Sequence, residues 1–204
     1  MTLSVAEDYP AILIASRPHG ETAAIARLLT HEHGLVAGYV AGGRGRQLRP
    51  VMIPGNLVSL ELRARSASQL PFAKVELVES RGPWLTEPLP ASAIQWACAL
   101  TATVLPERNP YAQLYLALRA LLDAICTAPS ARGWLAAMVL YEAMLLREMG
   151  YGGNKPDIDA PFDEQFEAFR QLHKPLGRYL LADARTDVMA ARVALGERLA
   201  RMAG

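Results

Sequence analysis

The chain has 204 residues, 51% of them apolar, which is enough to bury a real core and excludes disorder as the default state. Its 21 Lys and Arg face 20 Asp and Glu for a formal net charge of +1, so the molecule as a whole announces neither a nucleic-acid nor a membrane partner. Any such case has to rest on where the charge sits.

Before residue 82 the texture is β-like. Short runs at 11–16 (AILIAS), 35–43 (LVAGYVAGG), 56–65 (NLVSLELRAR) and 71–79 (PFAKVELVE) alternate with turns marked by Gly34, Gly42, Gly43, Pro54 and Gly55. In 58–65 the residues Val58, Leu60, Leu62 and Ala64 alternate with Ser59, Glu61, Arg63 and Arg65, which predicts a strand with one buried face and one wet, basic face. Several short strands in about 80 residues predict a small antiparallel barrel over residues 1–81. One segment resists: TAAIARLLTHEHG at 22–34 has helical composition, yet lies between two strands with little room for a crossover.

After RGPWLTEPLP the period becomes helical and stays so, which makes 82–204 a helical domain. A first helix ends at Pro106; Asn109 and Pro110 are placed to cap and open a second, YAQLYLALRALLDAICTA. A third, over 131–149, stops at Gly150; 162–172 and 184–202 are amphipathic. The connector YGGNKPDIDAP, around 151–161, is turn-rich. The fold class is therefore α+β, a barrel followed by an all-α domain.

Cys98 and Cys126 lie in apolar runs (QWACAL and LDAICTA) and read as reduced, buried thiols, which suits a cytoplasmic setting. The start, MTLSVAEDYP, carries acid where a secretory leader needs base, and every apolar stretch is broken before the ~18 residues of a membrane span. No membrane is expected.

Enzymatic signatures are missing. GGRGRQLRP at 42–50 ends in proline where a Walker phosphate loop needs Lys-Ser/Thr, and GYVAGG is followed by no helix with a downstream acid. His19, His31, His33 and His173 lack metal-ligand spacing, and neither cysteine has a neighbouring base. The expectation is a protein that is not an enzyme and carries no metal.

What remains is charge geography. Within 41–65 there are five arginines against one acid, whereas 82–204 is near neutrality. Guanidinium forks match phosphate oxygens, and glycine lets backbone approach a bound strand, so Arg44, Arg46 and Arg49, then Arg63, Arg65 and Arg17, are the candidate phosphate contacts. Residues 1–81 contain only Tyr9, Tyr39 and Phe72 as aromatics, which predicts binding dominated by the backbone, tolerant of sequence and steeply weakened by salt.

The residues 16–65 (SRPHGETAAIARLLTHEHGLVAGYVAGGRGRQLRPVMIPGNLVSLELRAR) resemble the N-terminal domain of the bacterial RecO family of DNA repair proteins. Its pattern runs through Arg-Pro-x-x-Glu-Thr, Leu-Leu-Thr-x-Glu-His-Gly and a basic Gly-Arg loop. VLPERNPYAQLYLALRALLD (104–123) and YEAMLLREMGYG (141–152) resemble its helical segments. The resemblance implies that the barrel is an OB-fold and that 22–30 is a strand. It also implies a recombination mediator that binds single- and double-stranded DNA, anneals complementary strands, and helps load a recombinase with RecR and the single-strand-binding protein.

Two departures stand out. The four zinc cysteines that many members carry beyond the GYG turn are absent from GNKPDIDAPF, so zinc is not expected. The family's Arg-Phe-Glu reads Leu140-Tyr141-Glu142, which removes an arginine from the groove implied for the acidic tail of the single-strand-binding protein. Arg132 or Arg147 are positional substitutes, and Tyr115 and Tyr141, with Trp134 and Met144, suit either that groove or the core. Two alternatives stay open: a protein–protein adaptor with a purely structural barrel, and an RNA-binding OB-fold protein.

Overall fold

The computed structural model describes residues 8–64, 66, 69–153, 155–184 and 186–203. Five strands, β1 (Tyr9–His19), β2 (Ala23–Thr30), β3 (Gly34–Val40), β4 (Leu57–Arg63) and β5 (Phe72–Glu79), close into a barrel in the order β1-β2-β3-β5-β4. All pairings are antiparallel except β3 with β5. That order, with one parallel seam, is the OB-fold.

Barrel closure is a steric matter at the seam. A Cβ on Gly38 would lie 2.5 Å from the Ala73 Cβ, so only glycine lets β3 come close enough to pair with β5. Inside, Ala11, Leu13, Ala26, Leu28, Val36, Val58, Leu60 and Val75 form the core.

The segment at 22–30 is a strand. Its helical composition is overruled because it pairs along its length with β1 on one side and β3 on the other. Both of its faces are largely buried, so the two-residue alternation that announces a strand is masked.

The wet face expected for 58–65 needs correction. Glu61 is only 6% exposed, and Arg63 folds back on it through a Nε–carboxylate ion pair.

By packing, the chain divides into two units. One comprises the described residues up to Pro83 together with Leu105–Tyr115; the other comprises Trp84–Val104 and the residues from Leu116 onward. In the first, Leu105–Tyr115 returns to the barrel: Arg108 N–H donates to the Leu35 carbonyl at 2.8 Å, and Arg27 meets Glu107 at 3.6 Å. Gly34, at φ +66, makes room for this return, because a Cβ there would sit 2.0 Å from the Asn109 carbonyl oxygen. Asn109 therefore packs on the barrel and does not cap the next helix; the Tyr111 carbonyl accepts from Tyr115 N–H at 3.0 Å as that helix begins.

The helices are α1 (Pro88–Val104), α2 (Ala112–Thr127), α3 (Leu135–Glu148), α4 (Phe162–Pro175) and α5 (Met189–Ala203). α3 ends at Gly150, φ +87, as its sequence predicts. The expected start of the last helix at 184 moves to Met189. In the second unit α1 packs on α5 and α3 on α4.

At the centre of that unit, fully buried Glu142 accepts from Trp96 Nε1 (2.7 Å), Arg192 Nε (2.9 Å) and Arg192 Nη2 (2.7 Å). Arg192 Nη2 also donates to the Phe169 carbonyl, and its guanidinium lies 3.9 Å from the Phe169 ring centroid. Burial raises the Glu142 carboxyl above the usual carboxylate range, with Arg192 and Trp96 working against that rise. No helix among the described residues is long and apolar enough to cross a membrane.

Candidate nucleic-acid interface

The loop between β3 and β4 is braced. Val51 and Met52 belong to the barrel core and Leu48 packs against it, while Arg49 between them is exposed. Arg49 N–H donates to the Gly45 carbonyl at 2.9 Å and Met52 N–H to that of Leu48 at 2.9 Å, a helical turn inside the loop. Fully buried Asn56 fixes the far end. Its Nδ2 donates to the carbonyls of Pro50 (2.8 Å) and Val51 (3.0 Å), and its Oδ1 accepts from Arg81 N–H at 2.7 Å. Sequence reading missed Asn56; an amide one residue past Pro-Gly and just before an apolar strand was the available signal.

The arginines differ in their ties. Arg44 N–H donates to the Thr22 carbonyl at 2.9 Å, and its Nη1 reaches the carbonyls of Gly20 (3.0 Å) and Glu21 (3.1 Å), so it joins this loop to the β1–β2 turn. Arg46 and Arg49 are exposed. Among the described residues, neither they nor Arg44 and Arg17 are held in an ion pair. Arg44 and Arg49 line a hollow of about 300 Å³ with Ser16 and Glu21, so an acid distant in sequence does stand beside the loop.

Ser16 also borders a second hollow, of about 590 Å³, on the outer face of β1–β3, where exposed Arg17 stands with Arg27 over Ile25 and Ala37. Arg63 is exposed but engaged by Glu61. Arg65 lies outside the described residues.

Of the residues suggested for a partner groove, the two tyrosines are buried and the two arginines exposed. Tyr115 is 2% exposed and packs edge-on against His31 within the barrel unit. Tyr141 is fully buried, with its hydroxyl 2.6 Å from Thr101 Oγ1, and Trp134 is buried as well. These are core residues, because helical spacing places them on the packed face. Arg132 is exposed and lies 4.7 Å over the Phe162 ring, and Arg147 is exposed near the end of α3. Among the described residues no three His, Cys, Asp or Glu side chains converge as metal ligands do.

A closed barrel of OB topology with an exposed arginine-bearing loop, followed by a helical unit, defines the class: an OB-fold protein with a helical second unit. Comparison with known proteins narrows this. The family Recombination protein O N terminal matches residues 4–81, and Recombination protein O C terminal matches residues 87–155. Similar curated proteins, each named DNA repair protein RecO, come from Rhodospirillum centenum (44% identity over 143 residues, 70% of this chain and 56% of the relative) and Phenylobacterium zucineum (43% over 143 residues, 70% and 58%). A third, from Rhodospirillum rubrum, is 42% identical over 144 residues, 69% of this chain and 57% of the relative. The chain belongs to the RecO family. It spans a little over half the length of the curated relatives it matches.

Proposed function

We propose that this chain is a DNA-binding recombination mediator in DNA repair, which holds single- and double-stranded DNA by phosphate contacts and promotes annealing of complementary strands. The observation that carries the reading is the braced loop, with Arg44, Arg46 and Arg49 outside any ion pair among the described residues. A glycine-rich loop kept merely soluble has no need of a buried anchor such as Asn56.

Annealing asks for no catalytic group. Two polyanions repel; a cationic surface that screens both lowers the barrier, and base pairing supplies the driving force. On this reading the protein works in the cytoplasm without a bound metal, and its partners in recombinase loading are RecR and the single-strand-binding protein. The tail of the latter meets this chain without the family arginine at position 140, which is Leu140 here.

The test is fluorescence anisotropy with labelled oligonucleotides across a salt series, run beside an annealing assay. Changing Arg44, Arg46 and Arg49 together to Ala weakens binding alike for all sequences, slows annealing, and lowers the log–log salt slope by roughly 2 for a single strand. An unchanged slope removes the loop from the contact surface. No binding at low salt by the unaltered protein leaves an adaptor, and preference for structured RNA in competition leaves an RNA binder.

A further inference from the structure

The strand pairings place one residue from each barrel strand in a single row across the outer face. Arg17 on β1 pairs with Ile25 on β2, Ile25 with Tyr39 on β3, Tyr39 with Phe72 on β5, and Phe72 with Arg63 on β4. All five point away from the core, since their neighbours Ala24, Ala26, Val40 and Ala73 point in. The row thus has a guanidinium at each end and two aromatic rings beside each other.

The rings are in contact. The Tyr39 and Phe72 centroids are 5.2 Å apart at 76°, and His19 meets Tyr39 from the other side at 5.7 Å and 88°. The geometry is imposed by the backbone. The Gly38–Ala73 approach closes the barrel next to these rings, and Tyr39 N–H donates to the Pro71 carbonyl at 2.8 Å. Yet the patch is left open: Phe72 is 50% exposed and Leu70, two residues earlier, 41%. One exposed apolar side chain needs no explanation; three adjoining rings with Leu70, flanked by arginines, form a patch of the kind that binds something.

Resting on the DNA-binding reading above, we propose that His19, Tyr39 and Phe72 are a stacking platform for the bases of single-stranded DNA, with Arg17 and Arg63 gripping the flanking phosphates. The occupant follows from charge and shape. Rings with guanidinium groups at both ends suit a ligand that alternates flat apolar faces with anions, as a single strand does. In a duplex those faces are stacked on one another and unavailable. Arg63, at the β4 end of the row, pairs with Glu61 two residues back on the same strand, and its side chain stays 74% exposed. Ser16 borders both the hollow lined by Arg17 and Leu70 and the hollow lined by Arg44 and Arg49.

The experiment compares a labelled oligothymidylate with an abasic oligonucleotide of equal length and charge, using the full chain and the variants Phe72→Leu and Tyr39→Leu. The platform predicts that the unaltered protein binds the base-bearing strand roughly tenfold or more tighter than the abasic one, since stacking contributes about that much per base. It predicts that each variant loses most of this preference while its affinity for the abasic strand and its salt slope stay within about twofold. Equal affinity of the unaltered protein for both strands overturns the platform and leaves phosphate binding intact. Preference retained in Phe72→Leu overturns it too, and because Phe72 is half exposed that variant keeps the barrel folded. Binding to neither strand defeats the DNA-binding reading itself and the platform with it.

Discussion

Glu142 and Arg192, 50 residues apart in sequence, form a two-point ion pair in which the side chains are 0% and 2% exposed. Through Trp96 and the Phe169 carbonyl, the pair touches α1, α3, α4 and α5 at once. Removing one member strands a charge in the interior, so Glu142→Ala costs about 3–5 kcal/mol in urea unfolding. The double change Glu142→Leu with Arg192→Met regains most of that loss, because it leaves no unpaired charge. A loss below 1 kcal/mol for the single variant contradicts the burial.

Asn56 makes three hydrogen bonds from a fully buried position. Asn56→Ala leaves two carbonyls and one N–H without their partner and lowers stability by about 2–3 kcal/mol. Asn56→Asp is worse, since it sets an anion against the Pro50 and Val51 carbonyls. The loop also loses its anchor, so limited proteolysis between Arg44 and Pro50 speeds up in both variants.

Gly38→Ala forces apart the seam between β3 and β5, at a cost of about 1–3 kcal/mol in thermal or urea unfolding. The second change Ala73→Gly removes the opposing Cβ and restores stability. Absence of rescue means that the 2.5 Å approach is not what limits the site.

How far the sequence disclosed all this depends on whether the signal is local. β4 could be read from its alternation and the end of α3 from Gly150, because each rests on neighbouring residues. β2 could not be read from composition: Ala, Leu and Arg favour helix, and burial on both faces hides the strand period. Only the family resemblance gave it. The arginine loop was visible as a cluster, but its brace depends on Asn56 meeting Arg81, 25 residues on. The aromatic row was hidden for the same reason, since Tyr39 and Phe72 become neighbours only by register. Glu142 had a faint signal, a lone carboxylate at helical spacing among Met138, Leu145 and Leu146.

In alkali the helical unit weakens. Burial pushes the Cys98 thiol up to about 12 from an ordinary value of 9.0, and burial also raises the Tyr141 phenol, with Thr101 acting against it. Both folded values lie above the unfolded ones. Their contribution is therefore complete below pH 9 and is lost as pH rises from about 9 towards 12. Urea midpoints fall steadily over that interval, and a Cys98→Ala variant shows a shallower fall. At pH 8 the folded protein reacts with a thiol reagent only as fast as it unfolds, because Cys98 and Cys126 are both buried.

The polypeptide passes from the barrel unit to the helical one after Pro83, comes back at Leu105, and leaves again after Tyr115. A cut at the first crossing yields a barrel without its own cover for Leu35, which is 0% exposed in the whole chain. The two units are not consecutive stretches of sequence. Swapping barrels among relatives means grafting a discontinuous piece, and a short N-terminal fragment made to isolate the barrel arrives with a sticky, unfinished side.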